Sequence, residues 1–122
     1  MPASILIADD YDDNRELLRL LLQAEGHLTR EASDGRECVN LALDERPDLA
    51  LIDLSMPVLD GWETLRELRA DERTRSVPCV ALTAHSSDLD RRRAFQAGFD
   101  DYLAKPFRAA ELYELVGRLL AD

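Results

Sequence analysis

Four apolar runs in this chain each stop on a residue suited to metal or phosphate chemistry. Ile5-Leu6-Ile7-Ala8 leads into Asp9-Asp10, Leu49-Ala50-Leu51-Ile52 into Asp53, Val80-Ala81-Leu82 into Thr83, and Tyr102-Leu103-Ala104 into Lys105-Pro106. If the runs are parallel strands, their C-terminal ends share the edge of the sheet where such folds bind ligands. Three carboxylates, a hydroxyl and an ammonium would then meet. Carboxylates ~4–5 Å apart repel by about 3–4 kcal/mol per pair at an effective dielectric near 20, so the cluster calls for a cation. Mg²⁺ is the natural occupant, with Mn²⁺ as the alternative, because a hard ion takes one or two carboxylates and leaves room for phosphate oxygens. Asp9 or Asp10, Asp53 and a carbonyl of the following loop are the expected protein ligands.

Asp53 is the expected nucleophile, since it closes the central run and carboxylates form aspartyl-phosphate intermediates. Thr83 offers a hydroxyl to a phosphoryl oxygen. Lys105 is the only lysine among fifteen basic residues. Its compact, rotatable ammonium suits one oxyanion in a narrow pocket better than a planar guanidinium does.

The elements needed to hold these residues alternate along the whole chain, the pattern of βαβ units. Strands are expected near 4–8, 28–32, 49–52, 78–82 and 101–104, and helices near 13–25, 36–46, 62–71, 88–97 and 109–121. The run at 49–52 does not alternate apolar with polar, so that strand is covered on both faces. In the first helix, Leu17, Leu20, Leu21 and Ala24 read as the buried stripe, with Asp13 and Glu16 as a capping pair and Gly26 as the stop. In the last, the stripe is Leu112, Leu115, Val116 and Leu119. Asp60-Gly61 and Met56-Pro57 frame a tight loop in which Gly61 is free to take positive φ. Right-handed crossovers give an α/β, flavodoxin-like doubly wound (βα)5 sandwich with strand order 2-1-3-4-5, which makes Asp9, Asp10 and Asp53 neighbours.

At 122 residues with 33% charged and 46% hydrophobic residues, the chain is expected to be one domain over 1–122. No apolar run reaches membrane-span length and no secretion signal precedes the first strand, so a cytoplasmic location is expected. The net charge of −10 opposes direct binding to nucleic acid or an anionic membrane. Arg91-Arg92-Arg93, the one basic cluster, reads as a solvated helix face. Cys38 and Cys79 lack metal or redox spacing and read as core residues. Trp62 reads as packing near the pocket.

The motifs ILIADD (5–10), LIDLSMPVLDG (51–61), ALTA (81–84) and DYLAKPF (101–107) resemble the receiver domain of two-component response regulators, the chemotaxis type, over essentially the whole chain. The resemblance implies a phosphorylation-controlled signalling switch rather than an enzyme. Asp53 would take a phosphoryl group from a histidine kinase or histidine phosphotransfer protein, and the acyl phosphate would later hydrolyse. It implies that the carbonyl ligand belongs to Ser55 and that Lys105-Pro106 is cis. It implies a switch in which the Thr83 hydroxyl moves toward the phosphate and Tyr102 turns inward. The change would reach a downstream protein through the face of the fourth helix, fifth strand and fifth helix. Ser55 and His85 stand where receivers tune phosphate lifetime. Because the last helix runs to the final residues, no output domain is expected, which leaves two alternatives, a free-standing receiver or a piece of a longer regulator or hybrid kinase; the chain should be a monomer or weak dimer.

Two other readings use the same residues. A Mg²⁺-dependent phosphohydrolase would place a second acid two residues after the nucleophile, where this chain has Ser55. A phosphate-independent docking module usually lacks one of the acids, the acceptor or the lysine, and this chain has them all.

Overall fold

In the computed structural model, residues 2–84 and 87–121 are described. Five strands alternate with five helices: β1 (Ser4–Ala8), α1 (Asp12–Ala24), β2 (Leu28–Ala32), α2 (Gly35–Asp44), β3 (Leu49–Asp53), α3 (Gly61–Ala70), β4 (Cys79–Thr83), α4 (Asp88–Ala97), β5 (Asp101–Ala104) and α5 (Ala109–Leu120). The strands form one parallel sheet in the order β2-β1-β3-β4-β5, as expected for the flavodoxin-like sandwich.

The two-residue period of each strand divides the core into two layers. Ile5, Ile7, Leu49, Leu51, Val80 and Leu82 face α1 and α5 and pack on Leu18, Leu22, Leu112, Leu115 and Val116. Leu6, Ala8, Ala50, Ile52, Cys79 and Ala81 face the other side and pack with Cys38, Val39, Ala42, Leu65, Leu68 and Ala94. That second layer is rich in alanine and cysteine, so its helices rest on short side chains. β3 and β4 are buried throughout, whereas β2, at the sheet edge, is buried only at Ala32.

Local chemistry sets the helix ends. Asp34 accepts the Glu37 N–H at the start of α2, and Asp60 with Glu63 forms a reciprocal capping box on α3. Gly98 closes α4 in the left-handed region at φ 113°.

Three local expectations are corrected. The buried stripe of α1 is Leu18 and Leu22 with Leu21 at its margin, while Leu17 and Leu20 are 48% and 52% exposed and Ala24 is also exposed. Leucines at 17, 18, 20, 21 and 22 satisfy two overlapping helical stripes, so periodicity alone does not fix which one meets the sheet. The cap of α1 is also shifted: the N-cap is Tyr11, without a side-chain cap bond, and the acids in the first turn are Asp12 and Asp13. Finally, positive φ in the loop after β3 falls on Val58 at 69°, not on Gly61. Gly61 is required for close approach instead, since a Cβ there would lie 2.6 Å from the Asp53 carbonyl oxygen and 2.6 Å from the Leu54 Cα.

Candidate functional site

The strand ends converge because the ladders are in register: Ala8 stands beside Ile52, Asp53 beside Leu82, and Thr83 beside Ala104. Backbone bonds carry the pairing past the strands, from Asp9 N–H to the Ala32 carbonyl, Leu54 N–H to Leu82, and Lys105 N–H to Thr83. The residues that follow the apolar runs are therefore held by the sheet itself.

Lys105 Nζ donates to Asp53 Oδ2 at 2.6 Å and to Asp9 Oδ2 at 3.0 Å, joining residues 52 and 96 positions away in sequence. The remaining oxygens are fixed from the backbone: Ser55 N–H donates to Asp53 Oδ1 at 2.8 Å and Tyr11 N–H to Asp9 Oδ1 at 2.9 Å. Asp9 is fully buried and Asp53 is 6% exposed, while Asp10 opens to solvent. The Lys105-Pro106 bond is cis, as the resemblance implies.

One ammonium serves two carboxylates, and the charge balance reflects it. Burial pushes the Asp53 carboxyl above its ordinary range; the Lys105 and Ser55 bonds oppose the rise and the Asp9 charge adds to it. Burial alone would lower the Lys105 pKa, but its bonds and charge contacts with Asp53 and Asp9 overcome this and raise it. Net negative charge is left over. Asp9, Asp10 and Asp53 each offer an oxygen, all within 4.8 Å of one another. An all-oxygen, anionic donor set of this kind fits a hard divalent cation.

Thr83, at the end of β4, is buried. The Tyr102 hydroxyl is buried too; burial raises its pKa, the Asp90 charge adds to the rise, and the neighbouring Thr83 hydroxyl opposes it. A cavity of about 130 Å³ beside the acids is lined by Leu54, Ser55, Trp62, Thr83, Asp90 and Arg93. Its Trp62 wall is held edge-on against Phe99, with ring centroids 5.9 Å apart.

The structure thus brings together Asp9, Asp10, Asp53 and Lys105, with Ser55 bonded to Asp53 and Thr83 beside Tyr102. His85 lies outside the described residues. One contributor was missed in the sequence: Arg15 donates to the Asp9 carbonyl oxygen at 2.8 Å and pairs with Glu31 at 3.4 Å. Its position in the first helix, four residues after Tyr11, gave no sign that the side chain turns back toward the strand end. Cys38 and Cys79 are fully buried as expected; burial pushes the Cys79 thiol up to about 12 and raises that of Cys38 further.

Residues 5–117 match the response regulator receiver domain. The polar-differentiation response regulator DivK of Brucella anthropi is 34% identical over 122 residues, covering 100% of this chain and 99% of that protein. Response regulator MprA of Mycolicibacterium vanbaalenii is 42% identical over 120 residues, which span 98% of this chain and 51% of that protein. Among solved structures, the receiver domain of the sensor histidine kinase PA1611 from Pseudomonas aeruginosa, with magnesium coordinated in its active-site cleft, superposes with a TM-score of 0.92. It is 38% identical, and all of both chains is covered. This chain belongs to the response regulator receiver domain family. Such domains are signalling modules of two-component systems, in contact with histidine kinases and downstream targets. Among the described residues no helix is long and apolar enough to cross a membrane.

Proposed function

We propose that this chain is a phosphorylation-controlled switch in which Asp53 accepts a phosphoryl group from a phosphohistidine. The observation that carries the proposal is a nearly buried carboxylate sharing one ammonium with a second, buried carboxylate while a third acid stands alongside. A purely structural ion pair has no use for the surplus negative charge, whereas a phosphoryl site with a bound divalent cation does.

In the proposed reaction an Asp53 oxygen attacks phosphorus, the donor's P–N bond breaks, the imidazole leaves and an acyl phosphate forms. Ser55 N–H and Lys105 Nζ fix the plane of the carboxylate, so that the attack begins from an ordered geometry. As the new P–O bond forms, Asp53 gives up its charge, and Lys105 is free to turn from it to a phosphoryl oxygen. Asp9, Asp10, Asp53 and the Ser55 carbonyl would hold Mg²⁺, which neutralises charge on the transferring group. Water attack on phosphorus later restores the carboxylate and releases phosphate. Ser55 and His85 tune that lifetime by controlling the approach of water.

Readout begins at Thr83. Its hydroxyl donates to the new phosphate, Tyr102 repacks against the altered neighbour, and the α4-β5-α5 face changes for a protein target. Local charge thereby biases a packing element with two arrangements. Incubation with Mg²⁺ and acetyl phosphate should add one phosphate, read as a mass increase, which is lost in Asp53→Asn and when Mg²⁺ is chelated. Uptake of phosphate by Asp53→Asn equal to wild type, or no uptake by wild type from either acetyl phosphate or a phosphorylated histidine kinase, would overturn the assignment.

A further inference from the structure

The groove between α3 and α4 lies outside the acidic site and has the opposite charge. It encloses about 520 Å³ and is lined by Trp62, Arg66 and Arg69 of α3 and by Arg93, Gln96 and Ala97 of α4. Positions 62, 66 and 69 recur at helical spacing, as do 93, 96 and 97, so each helix turns one stripe toward the other. Three of the six side chains are guanidiniums and none is a carboxylate, although the chain carries 25 acids and a net charge of −10.

The three arginines are not equivalent. Arg69 is tied to the carbonyls of Arg75, Val77 and Gly98 and to Asp100, so it forms a fixed wall. Arg93 lies over the Trp62 ring, 5.3 Å from its centroid, and Arg66 is exposed; among the described residues neither has an ion-pair partner. Guanidiniums without a carboxylate partner on both walls of one groove favour an anion between them.

We propose that this groove binds an acidic peptide segment of a partner protein. Guanidinium forks take carboxylates through paired hydrogen bonds. Trp62 and Ala97 supply an apolar floor for a neighbouring side chain, which a bare anion would not need. Apart from Trp62, in the first turn of α3, the lining residues lie beyond the first turn of their helices, where backbone N–H groups are bonded within the helix, so the groove lacks the N–H cradle typical of phosphate sites. It is also an open trough, since Arg66, Arg93, Gln96 and Ala97 are all exposed, and that shape follows a chain rather than enclosing a small molecule. Trp62 and Arg93 line the cavity beside Thr83 as well, so a bound segment lies against the rim of the acidic site. The proposal does not depend on phosphoryl transfer to Asp53.

Trp62 is the only tryptophan in the chain, so its emission reports directly on the groove. Titration with an oligopeptide of glutamates flanking one leucine should change that emission saturably and shift the amide resonances of α3 and α4. In the Arg66→Gln/Arg93→Gln double variant, affinity should fall by about tenfold or more, the scale of losing two charge-assisted contacts. Arg92→Gln removes one charge from the same helix outside the groove and should change affinity by less than about twofold if the contact is local. Both variants alter exposed side chains, and unchanged melting curves verify that they fold. An equal loss in Arg92→Gln, absence of saturation, tighter binding of pyrophosphate or ATP than of the peptide at these arginines, or self-association through this face would each overturn the proposal.

Discussion

Asp53 sits where burial opposes its charge while only one ammonium serves it and Asp9 together. A carboxyl whose folded pKa is raised contributes most to stability below its ordinary pKa and loses that contribution as pH rises through the folded value. Asp53→Asn cannot ionise, and Lys105 keeps Asp9 as a partner. Without divalent metal, the variant should therefore be more stable than wild type at pH 7, on the order of 1 kcal/mol. The gap should close as pH falls through the carboxylate range. Urea unfolding of both proteins in EDTA between acid and neutral pH measures it, and a gap that widens toward acid would refute the reading. Val58 offers a second test at this scale. It is β-branched, has φ 69° and is 72% exposed, so its side chain gains little from packing while its backbone is strained. Val58→Gly should stabilise the fold by about 1 kcal/mol in the same assay.

Two glycines at the elements' scale have opposite reasons for being there. Gly35 opens α2, where an added Cβ would lie 2.2 Å from Thr64 Oγ1 and 2.3 Å from the Leu59 carbonyl oxygen. Thr64 is itself buried and bonded to the Asp60 carbonyl, so α2 and α3 meet over a position that only hydrogen fits. Gly35→Ala should cost about 3 kcal/mol or more, as overpacking against backbone does. Gly117, inside α5, has nothing within 4 Å of an added Cβ. Gly117→Ala should stabilise by about 0.5–1 kcal/mol, because it removes backbone freedom from the unfolded chain without a clash. Melting temperatures of the two variants should move in opposite directions.

At the scale of the whole molecule, the acidic cluster at one sheet edge is a group of carboxylates that could hold a divalent cation in the folded state alone. An ion that binds only the folded chain stabilises it by mass action, about 2.7 kcal/mol at a hundredfold excess over Kd. Mg²⁺ should raise the melting temperature beyond Na⁺ at matched ionic strength, and Asp10→Asn should reduce that increment. Equal increments in the variant and wild type would remove Asp10 from the ion's surroundings.

Strand positions, the doubly wound class and the strand-end set Asp9, Asp10, Asp53, Thr83 and Lys105 were legible in the chain alone, because each depends on a local pattern that ends in a polar residue. Residue order could not fix the phase of α1, where five leucines left two stripes equally apolar until the sheet selected Leu18 and Leu22. Nor could it show Arg15 behind Asp9, or positive φ at Val58 rather than Gly61, since both depend on how a loop or helix start meets a strand end. The facing arginines of α3 and α4 were also hidden. Each helix alone presents an ordinary charged surface, and only their packing side by side turns two surfaces into one basic groove.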